Sequence, residues 1–219
     1  MNLLDILARL LVLGTCIPVH ECAHGWMANR LGDTTARDQG RLTLNPLRHF
    51  DMLGTLSLIL LGFGWAKPVP VDPRYFRGNR KRGMALVALA GPAANLLMAF
   101  MLMVLYKLIY YILGPLPGLQ DAAYILLEIL AIMVKTNLSL AVFNLIPVNP
   151  LDGSRIFGLL LPDRLYFALM RYERYVYILL LVVLALGLLD RPLHFLSYYA
   201  LRFLDTATSF IDLLAGLFI

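Results

Sequence analysis

His20, Glu21 and His24 stand together as His-Glu-x-x-His, framed by Pro18 and Gly25. Helical positions four apart share a face, so the two imidazoles can grip one metal ion. Glu21 is turned roughly 100° from His20. Two imidazole ligands and an adjacent carboxylate are the parts of a zinc hydrolase. Zinc brings a ligated water toward a pKa of roughly 7. Glu21 is placed to take that proton and pass it to a leaving amine. A catalytic zinc takes three protein ligands and leaves one position open, so the third must come from elsewhere. His49 and His194 are available, but Asp152 is the preferred choice, because Leu151-Asp152-Gly153 directly follows an apolar run. A carboxylate at membrane depth costs roughly 2.5–3.5 kcal/mol on insertion scales unless it is paired. A metal ion would offset that cost. The competing reading of Asp152 is a helix cap in the turn after Asn149-Pro150. Cys22 points about 160° away from His24 around the helix and reads as a packing thiol.

Two amides sit in apolar runs. Asn95 follows Gly91-Pro92, and Asn144 lies near the end of a later run. Buried amides need partners. They can hold a substrate backbone or stabilise an oxyanion, or they can join helices to one another. Gly62 and Gly64, around Phe63, read either as a flexible turn or as a backbone edge open to an extended peptide.

The elements that must position these groups are apolar. The 219 residues are 60% hydrophobic and 15% charged, with mean hydropathy +0.73. A soluble domain carries about 25% charged residues. The pattern predicts an all-α polytopic membrane bundle of about five to six transmembrane or membrane-embedded segments. Residues 3–31 read as the first helix, which Pro18 kinks by releasing the carbonyl of Gly14. Residues 52–66 are too short to span and read as re-entrant. Residues 83–113 and 122–146 read as the second and third crossings, 175–189 as a fourth and 192–219 as a candidate fifth. Residues 40–44 alternate like a strand, so a small membrane-associated β element is expected near 40–70.

Basic residues orient the bundle. Residues 30–82 hold ten Lys and Arg, 114–121 none and 147–174 four. The positive-inside rule puts the first and last of these in the cytosol and the amino terminus outside. Helix rise then puts His24 on the order of 10 Å from the cytosolic end of its helix. Asp152 follows the third crossing at the same level. The net charge of +5 sits in loops between apolar runs and reads as topology, not as a nucleic-acid surface. Residues 1–19 make a poor signal peptide: Asp5 precedes the first basic residue and no small-x-small site closes the run. Cys16 and Cys22 share one helix and form no disulfide framework. A zinc-binding membrane protein without protease activity, or a transporter, is the alternative function. A transporter needs polar groups on both sides of the midplane, whereas the polar groups here gather at one depth.

With these residues in view, the sequence resembles the site-2 protease family of intramembrane zinc metalloproteases. One family motif is His20-Glu21-Cys22-Ala23-His24. The other is the run from Asn144 through Pro147 to Leu151-Asp152-Gly153. Gly40 to Pro46, Ala66 to Pro70 and Ala90 to Asn95 resemble the compact branch that lacks a PDZ or CBS domain. The resemblance covers roughly residues 14–160. It implies one Zn2+ held by His20, His24 and Asp152, with Glu21 catalytic and Asn95 and Asn144 assisting substrate or transition-state binding. It also implies that an unwound substrate helix adds a strand to the 40–70 region. The expectation is a single integral-membrane domain over 1–219, with a core at 1–160 and accessory helices at 170–219. It would sit in the cell membrane as a multi-pass protein, its site near the cytosolic side. Its substrates would be membrane-anchored proteins and its surroundings the lipid bilayer, with no nucleic acid; self-association is left open.

Overall fold

The computed structural model describes residues 10–61 and 65–218. Among them the regular structure is all helical. A π-helical turn, Val12–Cys16, leads into α1, Ile17–Leu31. Pro18 has no N–H to return to Gly14, so the ordinary ladder lapses just ahead of the histidines. Gly32 ends α1 at φ 111°, a left-handed value that suits glycine. A short helix α2, Thr35–Asp38, and a 3-10 turn, Pro46–Arg48, follow. Next come α3, Met52–Leu61; α4, Arg80–Leu113; and α5, Gln120–Asn144. The short α6, Asp152–Phe157, and α7, Asp163–Arg171, precede α8, Glu173–Ala185. The chain finishes with α9, Asp190–Ala207, and α10, Ser209–Phe218.

The helix α4 is the axis of the molecule. It packs against α1 on one side and α5 on another, and α6 also docks on it. Small residues let the backbones approach: Ala99 of α4 and Ala141 of α5 are fully buried. One apolar cluster joins Ala99, Val134, Leu138 and Leu204 across α4, α5 and α9. A second joins Ala28, Phe76 and Val87 at the other end of α1 and α4. The outward leucines of α4, including Leu86, Leu89, Leu97 and Leu105, stay exposed. That distribution suits lipid contact along a spanning helix.

One expectation is corrected. No strand forms among the described residues of 40–70. Pro46, Pro68 and Pro70 cannot donate to a ladder; the segment is held instead by single bonds, such as Lys67 N–H to the His49 carbonyl at 2.9 Å. The count of about five to six transmembrane or membrane-embedded segments is matched only in part. Among the described residues, α4 and α5 are long and apolar enough to cross a bilayer, with a third span if α8 and the α9–α10 segment count as one. That pair bends by 85°, at a turn where Gly187 adopts φ 67°. The helix α3 has ten residues, about 15 Å, and cannot span. Gly54 near its start lies against the backbone of Trp65, so the chain has returned to the start of α3 by that point. Residues 3–9 of the expected first helix, and Gly62 and Gly64, lie outside the described residues.

Candidate metal centre

The helix α1 places His20 and His24 on one face, one turn apart, both nearly buried. That face meets α4 at Gly91. A β-carbon there would lie 2.5 Å from the His24 ring and 2.6 Å from the His20 ring, so only glycine lets the two helices close on the imidazoles. The turn after α5 supplies Asp152. Leu151 holds the N-cap position of α6 without a side-chain cap, and the Asp152 carboxylate turns toward the histidines instead of capping the helix. Gly153 allows that turn. A β-carbon there would lie 2.3 Å from the Leu145 carbonyl oxygen and 2.4 Å from that of Ile146.

The donor atoms converge. His20 Nε2 and His24 Nε2 are 2.9 Å apart. Asp152 Oδ2 lies 3.2 Å from the first and 3.4 Å from the second. His24 Nδ1 bonds the Val87 carbonyl at 2.7 Å. A carbonyl only accepts, so that nitrogen carries the proton and Nε2 presents a lone pair. Asp152 Oδ2 is buried and receives no hydrogen bond. Lone pairs crowded this closely and shielded from water repel unless a cation lies among them. Three donors bonded tetrahedrally at about 2.0–2.1 Å would stand about 3.3 Å apart. The donor set and spacing therefore fit a zinc ion. Among the described residues this is the one group of three His, Cys, Asp or Glu side chains close enough to hold a metal.

The surrounding residues sort clearly. Asn95 is fully buried, its amide nitrogen 3.3 Å from His20 Nδ1 and its Oδ1 without a partner. The opposite amide assignment puts Oδ1 on the imidazole N–H. Asn95 thus meets the outer nitrogen of His20. Asn144 gives its amide N–H to Leu140 of its own helix at 2.9 Å. Glu21 is half-buried and accepts the Val69 N–H at 2.8 Å. His49 is fully buried but bonds the Thr43 carbonyl, and Cys16 and Cys22 are free thiols outside the metal group.

Sequence reasoning missed Gly91, Val69 and Arg41. The proximity of Gly91 to Pro92 was visible, but its contact with the histidines is tertiary. The basic segment behind Val69 is ordered locally. Asp72 is paired with Arg74, whose guanidinium holds its carboxyl at about 2. The fully buried Asp33 accepts the Asp72 N–H at 2.7 Å and the Thr35 N–H at 3.0 Å, tying this segment to the end of α1.

Fold and site together define a helical, membrane-type protein with a buried His-His-carboxylate centre and a neighbouring carboxylate outside the ligand group. The model of Peptidase family M50 matches residues 8–114 and 108–189. The chain belongs to that family, and the site-2 protease resemblance is borne out. It is 41% identical over 166 residues to "Putative zinc metalloprotease YwhC" of Bacillus subtilis (strain 168), covering 75% of this chain and 74% of that protein. It is 27% identical over 190 residues to "Putative zinc metalloprotease Rip2" of Mycolicibacterium smegmatis (strain ATCC 700084 / mc(2)155), covering 84% of this chain and 69% of the relative. The Rip2 of Mycobacterium tuberculosis (strain ATCC 25618 / H37Rv) is 30% identical over 140 residues, which span 62% of this chain and 50% of that one. No solved structure matches. Membership of a zinc metalloprotease family implies zinc, and the apolar helices mark a membrane protein.

Proposed function

We propose that this chain is an intramembrane zinc endopeptidase that cuts membrane-anchored proteins within or near a transmembrane segment. The observation that carries the reading is the convergence of His20 Nε2, His24 Nε2 and Asp152 Oδ2 at 2.9–3.4 Å on helices of an apolar bundle. These three side chains would hold the ion. When bound, zinc acidifies water and polarises a peptide carbonyl. The carboxylate of Glu21 takes the proton from the attacking water and delivers it to the leaving amine nitrogen. Val87 and Asn95 fix the ring orientations of His24 and His20 through their outer nitrogens. Asn144, the last residue of α5, is the second amide assigned to the substrate backbone, through the polar groups its bond to Leu140 does not use. A helical substrate must unwind locally, because its own hydrogen bonds shield the scissile amide.

The same reading takes the chain as one integral-membrane domain, multi-pass in the cell membrane, with the amino terminus outside and the centre toward the cytosol. The basic residues from Arg30 to Arg82 support that orientation. The test is Glu21→Gln in proteoliposomes with a single-span model substrate. The variant is expected to retain zinc by elemental analysis and to lose cleavage by at least about 100-fold. Cleavage at the wild-type rate would remove Glu21 from the chemistry.

A further inference from the structure

Glu21 is not held by its own helix. Its Oε2 accepts the backbone N–H of Val69 at 2.8 Å. Val69 lies between Pro68 and Pro70, neither of which has an N–H, so it is the one backbone donor between residues 68 and 70. Two residues hold this short extended segment in place. Arg41 is 7% exposed, and its Nη2 donates to the carbonyls of Lys67 at 2.7 Å and Pro68 at 3.2 Å. His49 accepts the Lys67 N–H at 2.9 Å through its own carbonyl. Arg41 is itself anchored, its backbone N–H bonding the Ala36 carbonyl at 2.8 Å. Val69 packs toward α1 at Gly25, where an added β-carbon would lie 3.1 Å from the Val69 side chain.

The Arg41 guanidinium is unusual. Among the described residues no carboxylate pairs with it, and its Nε has no partner. Burying a cation without a counter-charge is costly. A surface turn could be tied without one. What the planar fork provides is one donor nitrogen spanning two successive carbonyls, which sets the direction of the next peptide N–H. That next N–H is Val69, aimed at Glu21.

We infer that Arg41 is a positioning residue for the Glu21 carboxylate, acting through the Val69 N–H. The inference rests on the proposed role of Glu21 as proton carrier. Loss of the clamp leaves the zinc ligands untouched and lets the carboxylate swing, so it lowers turnover without weakening substrate binding. Misplacing a reacting group by about 1 Å costs up to about 100-fold.

The experiment measures kcat, KM and zinc content for Arg41→Lys, Glu21→Asp and the double variant, with a model transmembrane substrate in proteoliposomes. Arg41→Lys keeps the charge but loses the fork. Its kcat is expected to fall about 10- to 100-fold, with KM within about twofold and zinc unchanged. In the Glu21→Asp background, whose shorter arm no longer reaches Val69, the same change is expected to cost less than about twofold further. An unchanged kcat, a raised KM at unchanged kcat, or a full additive loss in the double variant would each overturn the inference. Val69→Pro against Val69→Ala decides independently if Arg41→Lys does not fold. The proline deletes the N–H where its neighbours already impose extended backbone, so it is expected to lose turnover while the alanine keeps it; equal rates would overturn the inference. Wild-type cleavage by Glu21→Gln would remove the proton-carrier role on which the inference rests, and no cleavage by the zinc-loaded wild-type protein would sink the functional proposal itself. An inactive Glu21→Gln beside a fully active Arg41→Lys would sink only the role of Arg41.

Discussion

A methyl group at Gly91 would sit 2.5 Å from His24 and 2.6 Å from His20, too close for either ring to stay where it is. Gly91→Ala is therefore expected to cut zinc occupancy at least tenfold while the helices persist by circular dichroism. Normal zinc content would contradict the packing described here. Asp152→Ala tests the third ligand in the same way: zinc should fall by at least about tenfold, and unchanged zinc would remove Asp152 from the set. At this scale the sequence spoke through spacing. The four-residue step from His20 to His24 and the carboxylate after an apolar run were enough to nominate three ligands and a base. The contacts of Asn95 with His20, Val69 with Glu21 and Gly91 with both rings were not legible. They join residues far apart in the chain; Asn95 stood out as an amide in an apolar run, but its partner did not, and the Val69 N–H and Gly91 carry no local signal.

The helices were legible where apolar length decides and illegible where tertiary bonds do. The second and third crossings appear as α4 and α5 within a few residues of their expected ends. The strand expected near 40–44 failed because the prolines at 46, 68 and 70 deny it a ladder and Arg41 takes the carbonyls instead. The break between α8 and α9 falls close to the expected boundary at 189–192, whereas the division of the expected 192–219 segment into α9 and α10 at Thr208 was missed, because apolar content alone does not reveal a helix break. The last helices are joined to α4 by charge. Buried Lys107 lies 2.8 Å from Asp205 and 2.6 Å from Asp212, and Tyr111 donates to Asp212 at 3.1 Å. Lys107→Ala leaves two carboxylates without their cation. It is expected to destabilise the protein by about 1–3 kcal/mol, seen as a lower thermal midpoint in detergent. An unchanged midpoint would show that α9 and α10 do not depend on this cluster.

For the whole molecule, the central relation is between a one-sided distribution of basic residues and a centre at one end of the bundle. The close approaches at Gly91 and Gly153 and the candidate metal ligands gather where α1, α4 and the end of α5 meet. In sealed inverted vesicles, a cysteine at Arg77 should label from the exposed cytosolic side, and one at Pro117 only after permeabilisation. The reverse pattern would invert the proposed topology. The claim on which the rest depends is that the His20–His24–Asp152 centre cuts peptide bonds inside the membrane with zinc. The most direct measurement is mass-spectrometric mapping of the products of a single-span substrate in proteoliposomes, before chelation, after it, and after zinc is restored. The expected result is a cut within or next to the transmembrane segment that disappears on chelation and returns with zinc. Cleavage that persists after zinc is removed, or no cleavage by the zinc-loaded protein, would contradict it.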